Sequence, residues 1–366
     1  MNKFVKITGT LIAAFALALP YGIGGLEASA LPAARPTGVL LPQGQSSAIR
    51  EGQPVNITLK GKGLKQQGLQ GQEDVLLPLE LIRKGLKVKV KQDAGTNTYT
   101  LKKQNVTVTL QPAETGAKAV VDGSTQVLPY EWKVVNGQPY VSVKVLTDHL
   151  GFTSSWKDAG KTLDLIPHRL NDIRIETRTI EKNVPEATIK VEYPQVSGLR
   201  SKEAEGKINA LLQSRAEKFV QASLKEAQEN QPSPNGSPYE YLGNYTVTYN
   251  RGGLLSILEQ TYAYTGGAHG ISFREGLTFR LSDGKLLTLD EVLRANPGFR
   301  SIVDPSIAKQ LQATEGYFGG FETIGNNPDF YLKENGVVIF FQLYDYLPYV
   351  FGFPEFYFSF PELGIR

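Results

Sequence analysis

Two stretches of the chain, VLLPLELIRKGLKVKVKQDAG from Val75 and YVSVKVLTDHLGFTSSWKDAG from Tyr140, carry the same succession of signals. Each begins with a short β-rich run and continues into a short helical piece that stops at a glycine, Gly85 or Gly151. A glycine there suits the left-handed conformation that closes a helix. A strand then leads to a turn, KQDAG at 91–95 or KDAG at 157–160, and more strand follows. In the first copy that is 98–101 and the alternating NVTVTL of 105–110; in the second it is KTLDLI. The pattern predicts one strand–helix–strand–turn–strand unit used twice, a small βαββ module in duplicate over residues 54–168.

Length and composition bound the remainder. A chain of 366 residues predicts two or three domains. Hydrophobic residues at 41% and charged residues at 20% give an ordinary globular balance. The net charge of +3 is too small to argue for a nucleic-acid partner or an anionic membrane surface. The absence of cysteine excludes disulfides, thiol catalysis and cysteine-type zinc sites. At the N-terminus, Lys3 and Lys6 precede the apolar run LIAAFALAL at 11–19, and Ala28, Ser29 and Ala30 form a small-residue cleavage site. That order predicts an export signal peptide over 1–30. The apolar run is shorter than the roughly 20 residues a spanning helix needs, so removal of the signal, leaving no membrane span, is expected, with an uncleaved anchor as the alternative. The mature protein is expected to be secreted and to act outside the cytoplasm. Residues 31–53, rich in Pro, Gly, Ser and Ala, read as a linker.

From residue 173 the pattern changes. IRIETRTIEKNVPEATIKVEYPQVSGL reads as two strands and a turn. Residues 201–228 form the clearest helix, with Ala204, Ile208, Leu211, Leu212, Phe219 and Leu224 recurring at three- and four-residue steps opposite Lys, Glu and Gln. NQPSPNGSP at 230–238 ends it as an exposed loop. Strands are expected at 245–250 and 254–264, and a hairpin over 276–289 turned at Asp283 and Gly284. Thr288 and Glu291 make a capping box that opens a short helix. DPSIAKQLQ at 304–312 is a further helix, and FYLKENGVVIFFQL a hairpin turned at Asn335 and Gly336. The fold expected is α+β: the duplicated module, then an α+β domain in which a long helix packs on a mainly antiparallel sheet, with parts at 173–270 and 271–366.

YVSVKVLTDHLGFTSSWKDAGKTLDLI and its earlier copy resemble the copper amine oxidase N-terminal-like domain of exported proteins from spore-forming Gram-positive bacteria. The resemblance implies attachment or presentation at the cell wall. It does not imply oxidase chemistry, because His149, His168 and His269 stand in separate contexts and copper needs clustered nitrogen donors. The second half resembles the extracytoplasmic region of RsiV anti-sigma factors and the accessory domain of PdaC-type peptidoglycan deacetylases. The matching pieces are YPQVSGL, YAYTGGAHG, FRLSDGKLLTLDEVL and FYLKENGVVIFFQLYDYLPYVFGFPEF. RsiV relatives bind host lysozyme through this region, so the resemblance implies a binding surface for peptidoglycan or a lysozyme-like muramidase. The sigma-binding segment, the membrane span and the H-x-x-x-H pair of those relatives have no counterpart here, and neither signalling nor deacetylation is expected.

TYAYTGGAHG at 261–270 displays His269 among glycines. Glu259, Tyr262 and Tyr264 are its local polar neighbours, and neither G-x-S-x-G nor H-E-x-x-H is present. Residues 340–360 are dense in aromatics: Phe356, Phe358 and Phe360 alternate toward a core, whereas Tyr344, Tyr346 and Tyr349 lie on a loop marked by Pro348 and Gly352. Tyrosines on a rigid loop suit a protein or glycan ligand, and equally they can cover the edge of the sheet. The candidate binding residues are Tyr264, His269, Tyr344, Tyr346, Pro348 and Tyr349, with His269 expected beside the 344–349 loop. No catalytic residue, metal ligand or cofactor is expected. Asp93, Asp158 and Asp164 are read as turn residues that bond locally, and Lys87, Lys89 and Lys91 as the solvated face of an edge strand. The leading expectation is a non-enzymatic envelope protein. The alternatives are a wall-glycan-modifying enzyme with His269 as base, and a structural surface-layer or spore component.

Overall fold

The computed structural model describes residues 51–230 and 236–365. The expected signal peptide, linker residues 31–50 and loop residues 231–235 lie outside the described residues.

The N-terminal module opens with β1 (Pro54–Leu59), β2 (Lys62–Gly63), β3 (Gly68–Gln70) and β4 (Val75–Pro78), then α1 (Leu79–Lys84), β5 (Lys89–Asp93) and β6 (Thr98–Lys103). It continues through β7 (Val106–Ala113), β8 (Gly116–Val121), β9 (Ser124–Thr125), β10 (Trp132–Val135) and β11 (Gln138–Ser142). It closes with α2 (Lys144–Asp148), β12 (Phe152–Lys157) and β13 (Thr162–Pro167). The repeat takes its expected order twice, as β4–α1–β5–β6 and β11–α2–β12–β13. The copies meet through their first strands, β4 and β11 pairing antiparallel with Val141 opposite Leu77. Their later strands diverge. β5 and β6 open a five-stranded sheet ordered β5-β6-β7-β8-β9, and β12 and β13 join a sheet ordered β10-β11-β4-β3-β1-β13-β12. One core unites both copies, with Leu77, Ile82, Leu101, Val141, Leu146, Phe152 and Leu165 at its centre.

Three local expectations are corrected here. Gly151 is left-handed at φ +66°, but Gly85 is right-handed at φ −78°. Gly85 is small for a different reason: a Cβ there would lie 2.9 Å from the Leu81 carbonyl and 3.2 Å from Leu64 Cδ1. Lys87 precedes β5 and adopts φ 56°, so of the three lysines only Lys89 and Lys91 lie on the exposed edge strand. Asp164 is not at a turn. It lies within β13, 1% exposed, and accepts hydrogen bonds from Thr58 Oγ1 (2.5 Å), Gly61 N (2.8 Å) and Lys157 Nζ (2.7 Å). Asp93 does bond locally, accepting from Gly95 N at 2.9 Å.

The C-terminal half contains β14 (Arg174–Val184), β15 (Ala187–Ser197), α3 (Lys202–Glu229), β16 (Tyr239–Arg251), β17 (Leu254–Tyr264), β18 (Ile271–Arg280) and β19 (Lys285–Leu286). Then come α4 (Leu289–Val292), α5 (Arg300–Gln312), β20 (Asp329–Lys333), β21 (Gly336–Phe340) and β22 (Glu355–Ser359). Strands β14 to β19 form one sheet in sequence order, antiparallel except between β15 and β16. Parallel neighbours need a crossover, and α3 is that crossover. The sheet runs across the 270/271 division between the two expected parts, because β17 and β18 are paired. β20, β21 and β22 form a separate antiparallel sheet.

Ser201 caps α3 by accepting from Ala204 N, and Glu203 and Glu205 favour its N-terminal dipole. Its buried stripe is Ala204, Ile208, Leu212, Ala216, Val220, Ser223 and Ala227. Leu211, Phe219 and Leu224 are only half-buried flanks. Hydrophobic size drew the expected face toward them; the observed stripe is richer in small residues, which let the helix lie close on the sheet. Helix α5 starts at Arg300 rather than Asp304, anchored by Phe299 and Val303, both essentially buried. The β20–β21 turn is at Glu334 and Asn335, and Gly336 already pairs with Lys333. Gly336 is required inside the strand, since a Cβ would lie 2.2 Å from the Phe358 carbonyl. The Thr288 capping box and the left-handed Gly284 turn form as expected.

The module is docked on the C-terminal half. Ser124 Oγ donates to the buried Tyr245 carbonyl (2.8 Å), Thr177 Oγ1 to the Asp122 carbonyl (2.9 Å), and Thr246 Oγ1 to Gln126 Oε1 (2.9 Å). The connector is held from both sides. Leu170 N donates to Gln104 Oε1 (2.9 Å), and Asn171 Nδ2 donates to the Leu254 carbonyl (2.8 Å).

Candidate functional site

Strand β17 ends at Tyr264, and a turn carrying Gly266 (φ 90°) and Gly267 (φ 105°) returns the chain into β18. Those values favour glycine, because a Cβ would crowd the backbone. Tyr264 Oη ties the turn by donating to the Gly267 carbonyl at 3.1 Å. Gly270 is needed because Tyr262 crosses it: a Cβ would lie 2.3 Å from the Tyr262 ring.

A second segment reaches the same place from β21. Gln342 exchanges hydrogen bonds with the Arg274 backbone, receiving from its N–H at 3.1 Å and donating to its carbonyl at 2.7 Å. Arg274 also pairs with Glu355 at 2.7 Å, both nearly buried, and its guanidinium covers the Phe353 ring at 4.2 Å. This polar clasp joins β18, β22 and the loop between β21 and β22. It holds the loop that carries Tyr344, Tyr346, Pro348 and Tyr349.

The two segments meet at the Gly270 carbonyl, which accepts from Tyr349 Oη at 3.1 Å and lies 2.9 Å from His269 Nδ1. A carbonyl only accepts, so that contact assigns the His269 proton to Nδ1. Nε2 then has no hydrogen-bond partner among the described residues. The His269 ring stacks on Tyr349, centroids 4.1 Å apart and planes 22° from parallel. Tyr344, at φ 68° and 47% exposed, lies 5.7 Å beyond Tyr349 with its ring tilted by 34°. Burial raises the Tyr349 hydroxyl above its ordinary range, which keeps it a donor at neutral pH. His269 is exposed and Tyr349 half-buried. The column Tyr344–Tyr349–His269 is therefore an exposed aromatic face pinned by two hydrogen bonds to one carbonyl.

The six residues named from the sequence separate into two groups. Tyr264, His269, Tyr344 and Tyr349 form the face and its turn. Tyr346 turns the other way, edge-on to Phe341 (4.8 Å) and Phe321 (5.5 Å), and packs against a core. Pro348 supports the loop, its ring 3.3 Å from where a Cβ on Gly316 would lie. Phe318 (58% exposed) and Val350 (67%) add apolar surface to the same loop region, Phe318 N donating to the Tyr346 carbonyl. Phe318 was missed, although the Gly319 and Gly320 that follow it mark an exposed turn. Glu259 is not a partner of His269. It pairs with Arg215 at 2.7 Å beneath α3, and Arg215 also holds Glu275 at 2.6 Å.

Three family profiles match the chain in succession: copper amine oxidase N-terminal domain over residues 58–165, deacetylase PdaC over 180–272, and a protein of unknown function, DUF3298, over 294–360. The chain thus carries the three segments in the order its sequence implies. Domains of the PdaC and DUF3298 type are typically extracytoplasmic. Among the described residues no helix is long and apolar enough to cross a membrane. No curated protein matches the chain. Among solved structures, a DUF3298 family member from Bacteroides fragilis NCTC 9343 aligns at 16% identity and a TM-score of 0.41, covering 54% of this chain and 94% of that one. A DUF3298 family protein from Pseudomonas aeruginosa PAO1 aligns at 16% identity and 0.37, with the same coverage.

Proposed function

We propose that this is a secreted, non-enzymatic cell-envelope protein whose aromatic face binds a ligand while the duplicated module holds the protein at the wall. The observation that carries the reading is the exposed His269–Tyr349 stack fixed at the Gly270 carbonyl. Aromatic side chains held rigid at a surface lose little entropy on binding and offer apolar area with polar tips. The ligand is peptidoglycan or a muramidase of the lysozyme kind, the two classes implied by the resemblance of the second half to RsiV and PdaC-type proteins. The test is retention of the purified chain on insoluble peptidoglycan and on immobilised lysozyme. Retention by one of them, lost in Tyr349→Ala and His269→Ala, supports the reading. A wild-type chain that neither matrix retains ends it.

A further inference from the structure

The module and the C-terminal half also meet at a seam built of titratable side chains. Lys333, at the end of β20, reaches Asp148, at the end of α2, with Nζ 3.7 Å from Oδ1. Arg251, at the end of β16, donates to the Glu334 carbonyl. A cavity of about 40 Å³ lies here, walled by Asp122, Asp148, His149, His168, Arg251 and Glu334 among others. Two of the three histidines, expected in separate contexts, therefore share one cavity. His149 is 5% exposed, and its Nε2 shares a 2.6 Å hydrogen bond with Tyr130 Oη. Among the described residues His168 Nδ1 is buried without a hydrogen-bond partner, and Asp148 Oδ1 has only the longer ion pair with Lys333; an unpaired buried polar atom costs free energy.

We propose that this seam is an acid-sensitive latch: protonating His149 and His168 adds two cations beside Lys333, Arg251 and Lys103 and opens the contact between module and C-terminal half. Burial holds both imidazoles down, to about 4. For His149 the neighbouring Asp148 opposes that and Lys333 adds to it; for His168 both Arg251 and Lys103 add to it. Both rings are neutral in the closed seam and titrate near 6.5 when freed. A lowered pKa in the closed state means the contribution is complete above about 6.5 and is lost as the pH falls toward 4. The other charges facing the seam are Asp148, Asp122, Glu334 and, behind Tyr130, Asp74 with its partner Lys144. Burial raises Asp122, Glu334 and Asp74, so their protonation favours the closed state and opposes the histidines.

Histidine variants separate the two signs. Hydrogen–deuterium exchange on the full chain, corrected for intrinsic rate, follows residues 168–173 and 249–254 from pH 7 to pH 4.5. In the wild type, protection there is expected to fall about tenfold or more while α3 and β21 stay protected. His149→Gln with His168→Gln keeps polar side chains, removes the titration and is expected to retain protection. Unchanged wild-type protection, equal loss in the double variant, or simultaneous loss across the whole chain overturns the proposal. If the double variant fails to fold, His168→Gln alone decides, since that ring is partly exposed. Its opening midpoint must fall, and an unchanged midpoint overturns the proposal.

Discussion

Gly276 lies in β18 opposite Leu258, where the sheet of α3 meets the sheet of β20 to β22. A Cβ built on it would be 1.7 Å from the Phe330 carbonyl oxygen and 2.6 Å from its carbon. Gly276→Ala must therefore drive β20 back until that contact reaches at least 3.0 Å, the floor for real Cβ atoms. Three contacts resist the retreat. Phe330 is 4% exposed in the C-terminal core, Leu332 N donates to Ser256 Oγ at 3.0 Å, and Ser256 in turn bonds Thr278 at 2.9 Å with both residues fully buried. A backbone shift against such packing costs about 1–3 kcal/mol or more, and the upper end is expected here. Gly206→Ala is the matched control. Gly206 is exposed inside α3 with open space around it, and the same added methyl should stabilise by about 0.5–1 kcal/mol through helix propensity. Urea unfolding at constant m-value measures both. Because β21 leads into the aromatic loop, Gly276→Ala should also weaken ligand retention. A Gly276→Ala variant within about 0.5 kcal/mol of wild type, beyond which a single change is meaningful, would refute the argument for close approach of the two sheets.

Other outcomes follow from single contacts. Leu212→Ala, at the centre of the α3 stripe and fully buried, should cost about 2–5 kcal/mol in the same unfolding assay. Asp164→Asn weakens an acceptor of three hydrogen bonds, one from a lysine, and should cost about 2–3 kcal/mol at pH 7. Burial works to raise the Asp164 carboxyl, but bonds from Lys157, Thr58 and Gly61 outweigh it and hold the group below its usual range. Its stabilisation is present above about pH 4 and lost below it, so the variant's acid limb should be flatter. Asp122 has the opposite sign: burial lifts it to about 6, so its contribution is full below pH 4 and lost as the pH rises through 6. Asp122→Asn should stabilise by about 1–2 kcal/mol at pH 7 and by little at pH 4, helped by Asn tolerance of the φ 49° found there. Tyr349→Phe keeps the ring and loses the bond to Gly270, so retention should fall several-fold, against at least about tenfold for Tyr349→Ala.

Signals carried by neighbours in sequence were legible. The repeat, the capping box at Thr288, the left-handed turn at Gly284 and the long helix from Ser201 each depend on residues within a few positions, where backbone geometry and short hydrogen bonds decide the outcome. The expectation that His269 lies beside the 344–349 loop also holds, since its ring stacks on Tyr349. Spacing carried no information on which tyrosine faces outward: Tyr346 and Tyr349 sit on one loop, yet one enters a core and the other supports the exposed column.

The sequence alone determined the kind of chain this is: an α+β protein with a duplicated βαββ module, one long amphipathic helix and an aromatic C-terminal segment. Tertiary structure decided everything that depends on distance through space. Gly85 and Gly151 look alike in the repeat, but only Gly151 is left-handed; Gly85 is right-handed, and its smallness answers to the approach of Leu64 and the Leu81 carbonyl. Asp164 resembles the turn aspartate Asp93, yet it is the buried acceptor for donors brought from β1 and β12. His149 has Lys333 beside it, and His168 has Arg251, because the module packs on the C-terminal half. The physical reason is common to all three: burial and charge environment are set by which surfaces meet, and local pattern does not encode the partner surface.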